Sequence, residues 1–103
     1  MAILSTLLQS TATAISPVLG TDMAVTVMMF CNLNTTIENI DIHVVVSGDT
    51  TTDVNKVVQQ VPLDPNDTFT FSTERLVLSP GDRVYASTTT DDQVSVTISY
   101  VTI

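Results

Sequence analysis

The sequence is poor in most of the residues from which active sites are built. Among 103 residues it has 1 cysteine, 1 histidine, no tryptophan, 3 glycines, 4 prolines and 3 Lys+Arg. One thiol excludes an internal disulfide, and Cys31 with His43 is too small a donor set for a multi-thiolate metal site. Inside the run Val27-Met28-Met29-Phe30-Cys31 the cysteine reads as a small buried hydrophobe. Such usage fits a protein made in a reducing compartment, or one indifferent to redox. The 3 cations face 11 Asp+Glu, and the net charge of −8 repels nucleic-acid phosphate and disfavours an anionic membrane face.

Long apolar runs are missing as well. Met1 to Thr21 carries no charged side chain, but Gln9-Ser10-Thr11 and Pro17 interrupt it, and the first basic residue is Lys56. A secretory leader needs a basic start and an unbroken apolar stretch, and a membrane span needs ~20 mostly apolar residues. Neither targeting nor anchoring is expected.

What the chain does have is a 44 % hydrophobic content dominated, with threonine, by side chains branched at Cβ, which favour strands. A chain of this mass should bury about two-thirds of its unfolded surface and form one small core. Met23 to Cys31 is a nearly continuous apolar run, which predicts a strand covered on both faces. Ile40 to Val46 alternates, with Ile40, Ile42, Val44 and Val46 on one face and Asp41, His43 and Val45 on the other. Val57 to Leu63, Thr68 to Ser72 and Leu76 to Leu78 read as shorter strands, separated by turn signals at Asp64-Pro65-Asn66-Asp67 and Ser79-Pro80-Gly81-Asp82. Val84 to Thr88 and Val94 to Thr102 read as a closing hairpin over Asp91-Asp92. Together with Ile3 to Ile15 this predicts an all-β fold: a single small antiparallel β-sandwich or jelly roll of about seven to eight strands. Its expected core is Val27, Met29, Ile42, Val44, Phe69, Phe71, Val96 and Ile98. Residues 21–103 form the sandwich, and residues 1–20 form an N-terminal edge strand or an assembly arm laid on a neighbouring subunit.

The chemistry-bearing residues are few. His43 is the only imidazole, and Asp41 lies on the same strand face, yet no nucleophile motif accompanies this half triad. Two polar residues on a solvated strand face explain the pair, and no catalytic residue is assigned. Loop carboxylates at Asp49 and Asp53 (with Asn55), Asp64 and Asp67, and Asp91 and Asp92 are the oxygen ligands calcium prefers, but their spacing matches no EF-hand or nonapeptide pattern. Turn duty is the expected role, with no cofactor and no metal. Lys56 with Glu38 or Glu74 has the residue types of an isopeptide crosslink, without a matching motif. A sugar-binding face wants exposed rings, and the five aromatics mostly fall in core-facing registers. The uncharged Ile3, Leu4, Leu7 and Leu8 are the residues expected at an interface.

Several stretches stand in a telling order. Ala24-Val25-Thr26-Val27-Met28-Met29-Phe30-Cys31-Asn32 leads into Ile42-His43-Val44-Val45-Val46-Ser47-Gly48. There follow Val61-Pro62-Leu63, Asp67-Thr68-Phe69, Thr73-Glu74-Arg75-Leu76-Val77-Leu78, Pro80-Gly81-Asp82 and a Thr/Val-rich last strand. This order resembles small virion proteins of tailed bacteriophages, particularly contractile-tailed phages of marine bacteria. The resemblance covers most of the chain, rests on turn and strand patterns, and carries no site residues over. It implies a compact, non-enzymatic β-sandwich, made in the host cytoplasm and incorporated into the virion as a capsid decoration (cement) or neck or tail accessory subunit. Its partners would be major capsid, neck or tail subunits and further copies of itself, with no nucleic acid and no membrane. The alternative is a receptor- or glycan-binding module of a tail fibre.

Overall fold

Nine strands and no helix are found in residues 2–17, 20–71 and 76–103, which the computed structural model describes. They are β1 (Ala2–Leu7), β2 (Thr13–Ala14), β3 (Met23–Asn32), β4 (Glu38–Val45), β5 (Lys56–Leu63), β6 (Thr68–Phe71), β7 (Leu76–Leu78), β8 (Arg83–Thr88) and β9 (Val94–Thr102). One sheet has the order β1-β9-β3-β6, with β7 continuing along β3 beyond β6, and the other has the order β2-β8-β4-β5. All pairings are antiparallel. The pairs β1–β9, β2–β8, β3–β6/β7 and β4–β5 are those of one long hairpin that bends at the β4–β5 loop and winds over itself. Successive pairs alternate between the two sheets, which is the topology of a jelly roll.

The turns follow from their residues. The Asp67 N–H donates to the Asp64 carbonyl at 3.1 Å, and Asn66 adopts φ 63°, a conformation asparagine tolerates. The Asp82 N–H donates to the Ser79 carbonyl at 3.0 Å, with Gly81 at φ 90° in the third position of the turn. A Cβ at Gly81 would stand 2.8 Å from the Ser47 Cβ, so the glycine serves both conformation and clearance.

The core between the sheets holds Leu8, Ile15, Met28, Phe30, Ile40, Ile42, Val96 and Ile98, all fully buried. Val44, Phe69 and Phe71 pack against it, and the Phe30 and Phe69 rings lie 6.0 Å apart at 37°. The expected core needs one correction. Val27 is half-buried and Met29 is 40 % exposed, while Met28 and Phe30 point inward. The cause is a bulge at Thr26, whose hydroxyl donates to the Ser99 carbonyl at 3.0 Å, between the register pairs Val25↔Tyr100 and Val27↔Ser99. One inserted residue reverses which side chains of β3 face inward. For the same reason β3 is not covered on both faces, because its outer face is open at Met29.

Two other expectations change. β8 and β9 do not form a hairpin: β8 pairs with β2 and β4, and β9 with β1 and β3, so Thr89–Gln93 crosses from one sheet to the other. Likewise the segment Ile3 to Ile15 divides, with β1 in the first sheet and β2 in the second. The corner between them is tied down by Leu8 N–H to Val94 O at 2.8 Å, Thr88 N–H to Gln9 O at 3.0 Å and Gln9 Nε2 to Asp92 Oδ1 at 2.7 Å.

Candidate assembly surface

The two sheets differ in charge without exception among the described strands. Glu38, Asp41, His43, Lys56 and Arg83 all lie on β4, β5 and β8, in the second sheet. Strands β1, β3, β6, β7 and β9 carry no acidic or basic side chain. In antiparallel sheets directly paired residues share a face, so the register places Ile3 beside Ser99, Ser5 beside Thr97 and Leu7 beside Ser95 on the outer side. Val27, Met29 and Cys31 of β3 continue that face toward Thr68 and Thr70 of β6 and Val77 of β7. Ile3 is 70 % exposed and Val77 57 %. On a chain of net charge −8, this neutral face of hydroxyls and apolar groups is where another surface meets no carboxylate.

The sheet edges sharpen the picture. β2 is 2 residues long, and the edge formed by β6 and β7 is broken into pieces of 4 and 3. β5 is longer, but it carries Lys56 and Pro62 and is bulged against β4, with Gln60 at φ 51°. Shortness, lysine, proline and bulges are the devices that keep edge strands from pairing with other chains. β1 has none of them. It runs 6 residues, AILSTL, in unbroken register with β9. Leu8, the residue after it, exchanges backbone bonds toward the β9 side, with Val94 O and Asp92 N. Alternation along the strand then directs the N–H and C=O groups of Ile3, Ser5 and Leu7 outward from the sheet edge.

Comparison with known proteins adds no relative. No family model, no curated protein and no solved structure matches the chain.

Of the four expected interface residues, Ile3, Leu4 and Leu7 are exposed, at 70 %, 38 % and 41 %, whereas Leu8 is fully buried. Leu8 is thus corrected to a core residue: the chain turns there from one sheet toward the other and drives its side chain between them. Several of the remaining candidates are engaged locally. The Asp41 carboxylate accepts the Gln60 backbone N–H at 2.7 Å and its side-chain amide at 3.0 Å, with Lys56 Nζ at 4.0 Å. It makes no hydrogen bond to His43, which is buried beside Tyr85 and Lys56 in the register, so the pair is not a solvated strand face. Lys56 is placed against Asp41 and not against Glu38, and Glu74 lies outside the described residues. Among the loop carboxylates, Asp67 accepts the Thr68 N–H at 2.9 Å and Asp91 the Ser10 N–H, the latter bond holding its carboxyl below the usual range. Asn55 spans its own loop, accepting the Thr52 N–H at 3.0 Å and donating to the Thr50 carbonyl at 2.8 Å. No group of three or more metal-ligating side chains occurs among the described residues.

A buried polar knot escaped the sequence reading. Glu38 is 1 % exposed, and its carboxylate accepts from the Asn34 amide, the Thr88 hydroxyl and the Thr90 N–H at 3.0, 3.0 and 2.8 Å. Beside it the Asn32 amide, also buried, donates to the carbonyls of Thr36 and Leu63 at 2.9 Å each, and its oxygen accepts the Asn34 N–H at 2.8 Å. These bonds fasten the β3–β4 connection to β5 and β8. Burial pulls the Glu38 pKa upward, but the hydrogen bonds from Thr90, Asn34 and Thr88 outweigh it and leave the carboxyl below its ordinary 4.5.

Proposed function

We propose that the protein is a non-enzymatic structural subunit of a tailed-phage virion, a capsid decoration (cement) or neck or tail accessory protein that joins the particle through its uncharged sheet. The observation that carries this reading is the combination of an unguarded β1 edge with a charge-free outer face on an otherwise acidic molecule. A neighbouring virion protein that adds to this edge would satisfy the outward peptide groups of Ile3, Ser5 and Leu7 and cover the exposed apolar side chains together. Stabilisation of the particle would be mechanical, by mass action over many copies on one lattice. The engagement of Asp41, Asp67, Asp82 and Asp91 in local hydrogen bonds supports a role without catalysis.

The second reading, a receptor- or glycan-binding module of a tail fibre, draws on a groove along the second sheet. About 280 Å³ in volume, it is lined by Ser10, Asn39, Asp41, Gln60, Ser87, Thr88 and Thr89. Hydroxyls, amides and one carboxylate suit a polyhydroxylated ligand. Mass analysis of purified particles separates the two. Tens to hundreds of copies per particle support decoration, three to twelve support a tail or fibre position, and absence from the particle ends both readings.

A further inference from the structure

We infer that the groove on the outer face of the second sheet is a recognition site for a single neutral pyranose unit, with Asp41 as its central hydrogen-bond acceptor. The polyhydroxylated ligand rests on the second reading above; the sugar's charge, the contacting groups and the direction of display go beyond it.

The site is built around an irregularity of β5. In the register Ile40 faces Val61 and Ile42 faces Val58, so Gln59 and Gln60 together stand opposite Asp41 alone. Two residues against one make a bulge, a device that re-aims side chains beside functional sites. Here it sets Gln60 at φ 51°, with its backbone N–H on Asp41 Oδ1 at 2.7 Å and its side-chain amide on Oδ2 at 3.0 Å. Oδ2 keeps acceptor capacity, because Lys56 Nζ at 4.0 Å lies beyond hydrogen-bond reach. Around this fixed carboxylate the Ser10 hydroxyl, the Asn39 side-chain amide and the Ser87 hydroxyl line the groove and make no hydrogen bond among the described residues. Ser87 is the register partner of Asp41 on β8, and Ile40 and Ile42 point into the core, so Asn39, Asp41 and Ser87 share the outer face.

A sugar hydroxyl both donates and accepts, and the free groups answer both: a carboxylate oxygen accepts, while two hydroxyls and an amide do either. Charge selects a neutral sugar. Lys56 already faces the one carboxylate of the groove, and the net charge of −8 repels an acidic ligand. At about 280 Å³ the groove is smaller than a drug-sized pocket and suits one ring. Its lining holds no aromatic side chain to stack on that ring, so hydrogen bonds alone hold the sugar and the single-site affinity is millimolar. The two sheets of a sandwich face opposite ways, so a subunit seated through its uncharged sheet turns this groove away from the particle. Many weak sites on one lattice then gain ~10²–10⁴ in avidity over one.

The test titrates the isotope-labelled full chain with glucose, galactose, mannose and N-acetylglucosamine, and with glucuronate as the acidic counterpart, while NMR follows the backbone amides. At least one neutral sugar should give saturable shifts in the millimolar range, confined to Ser10, Asn39, Asp41, Gln60, Ser87 and their neighbours. Glucuronate should bind about ten-fold more weakly. Asn39→Ala combined with Ser87→Ala removes two side chains that hold nothing in the free protein, so it should weaken the sugar about ten-fold with an unchanged melting temperature. Thr70→Ala, on the outer face of the first sheet, should leave binding as it is. No saturable shift with any neutral sugar, shifts spread over both sheets, glucuronate binding equally well, or a double variant that binds like the unaltered chain overturns the site. Each of these results leaves the virion reading to particle mass analysis, since a chain that binds no sugar can still be counted in the particle.

Discussion

The Thr88 hydroxyl donates to the Glu38 carboxylate at 3.0 Å, joining β8 to the first residue of β4 in a place closed to solvent. A buried carboxylate is tolerated there because the Thr90 N–H and the Asn34 amide complete its coordination. Removing the carboxylate by Glu38→Ala strands those donors and should cost about 2–3 kcal/mol, measured by denaturant unfolding. A loss below about 0.5 kcal/mol would mean that water replaces the carboxylate without penalty.

The same group gives the fold an acid limit. Its folded-state pKa lies below the 4.5 of the unfolded chain, so it contributes stability above that value and loses it as pH falls through the folded pKa. The gap in stability between the unaltered protein and Glu38→Gln should therefore be full near about pH 7 and shrink below about pH 4. Parallel stability curves across that range would assign the acid limit to other carboxyls.

The bulge at Thr26 makes neighbouring residues of β3 unequal. Phe30→Ala, in the core and against Phe69, should cost about 3–5 kcal/mol, while Met29→Ala on the open outer face should stay within about 0.5 kcal/mol. Thermal melts of both variants check this, and a larger loss at Met29 would restore the unbulged register.

The loop aspartates are expected to hold backbone and no metal. Asp82 accepts the Ser47 N–H at 2.9 Å through one oxygen and the Ser79 N–H at 3.0 Å through the other. Chelator should leave the melting temperature unchanged, whereas Asp82→Ala should lower stability by about 1–2 kcal/mol. A calcium-reversible drop on chelation would make ligands of Asp49, Asp53 and Asn55, or of Asp64 and Asp67.

Gly81 combines a positive φ with the nearby Ser47 side chain. Gly81→Ala should cost about 1–3 kcal/mol, and adding Ser47→Gly should recover only the steric part, leaving the backbone strain. Full recovery in the double variant would show that clearance alone requires the glycine.

The fold was legible where local chemistry decides it. Alternation in Val94-Ser95-Val96-Thr97-Ile98 and the Asp64–Asp67 and Ser79–Asp82 turns read directly onto β9 and onto the β5–β6 and β7–β8 connections. What stayed hidden depends on partners distant in the chain. Thr26 looks like any strand threonine until the Ser99 carbonyl accepts a hydrogen bond from its hydroxyl, and Leu8 looks like Leu7 until the second sheet closes over it. Glu38 reads as a surface acid because its donors come from Asn34 on one side and from Thr88 and Thr90, far downstream, on the other. The uncharged sheet is written in the strands themselves, but it becomes a surface only once five separated segments are known to lie together.

The pairing of β1 with β9 sets a schedule for synthesis. A ribosome makes β1 first of the described strands and β9 last, with nearly the whole sandwich between them. At ~5–20 residues per second, Ile3, Leu4 and Leu7 wait roughly five to twenty seconds before the strand that will hold them exists. During that interval the nascent chain presents both margins of this uncharged strand, and copies growing on one message pass close to each other in that state. Spacing between ribosomes, or a chaperone that holds extended apolar segments, then governs how much of the protein matures as separate molecules rather than exchanging first strands.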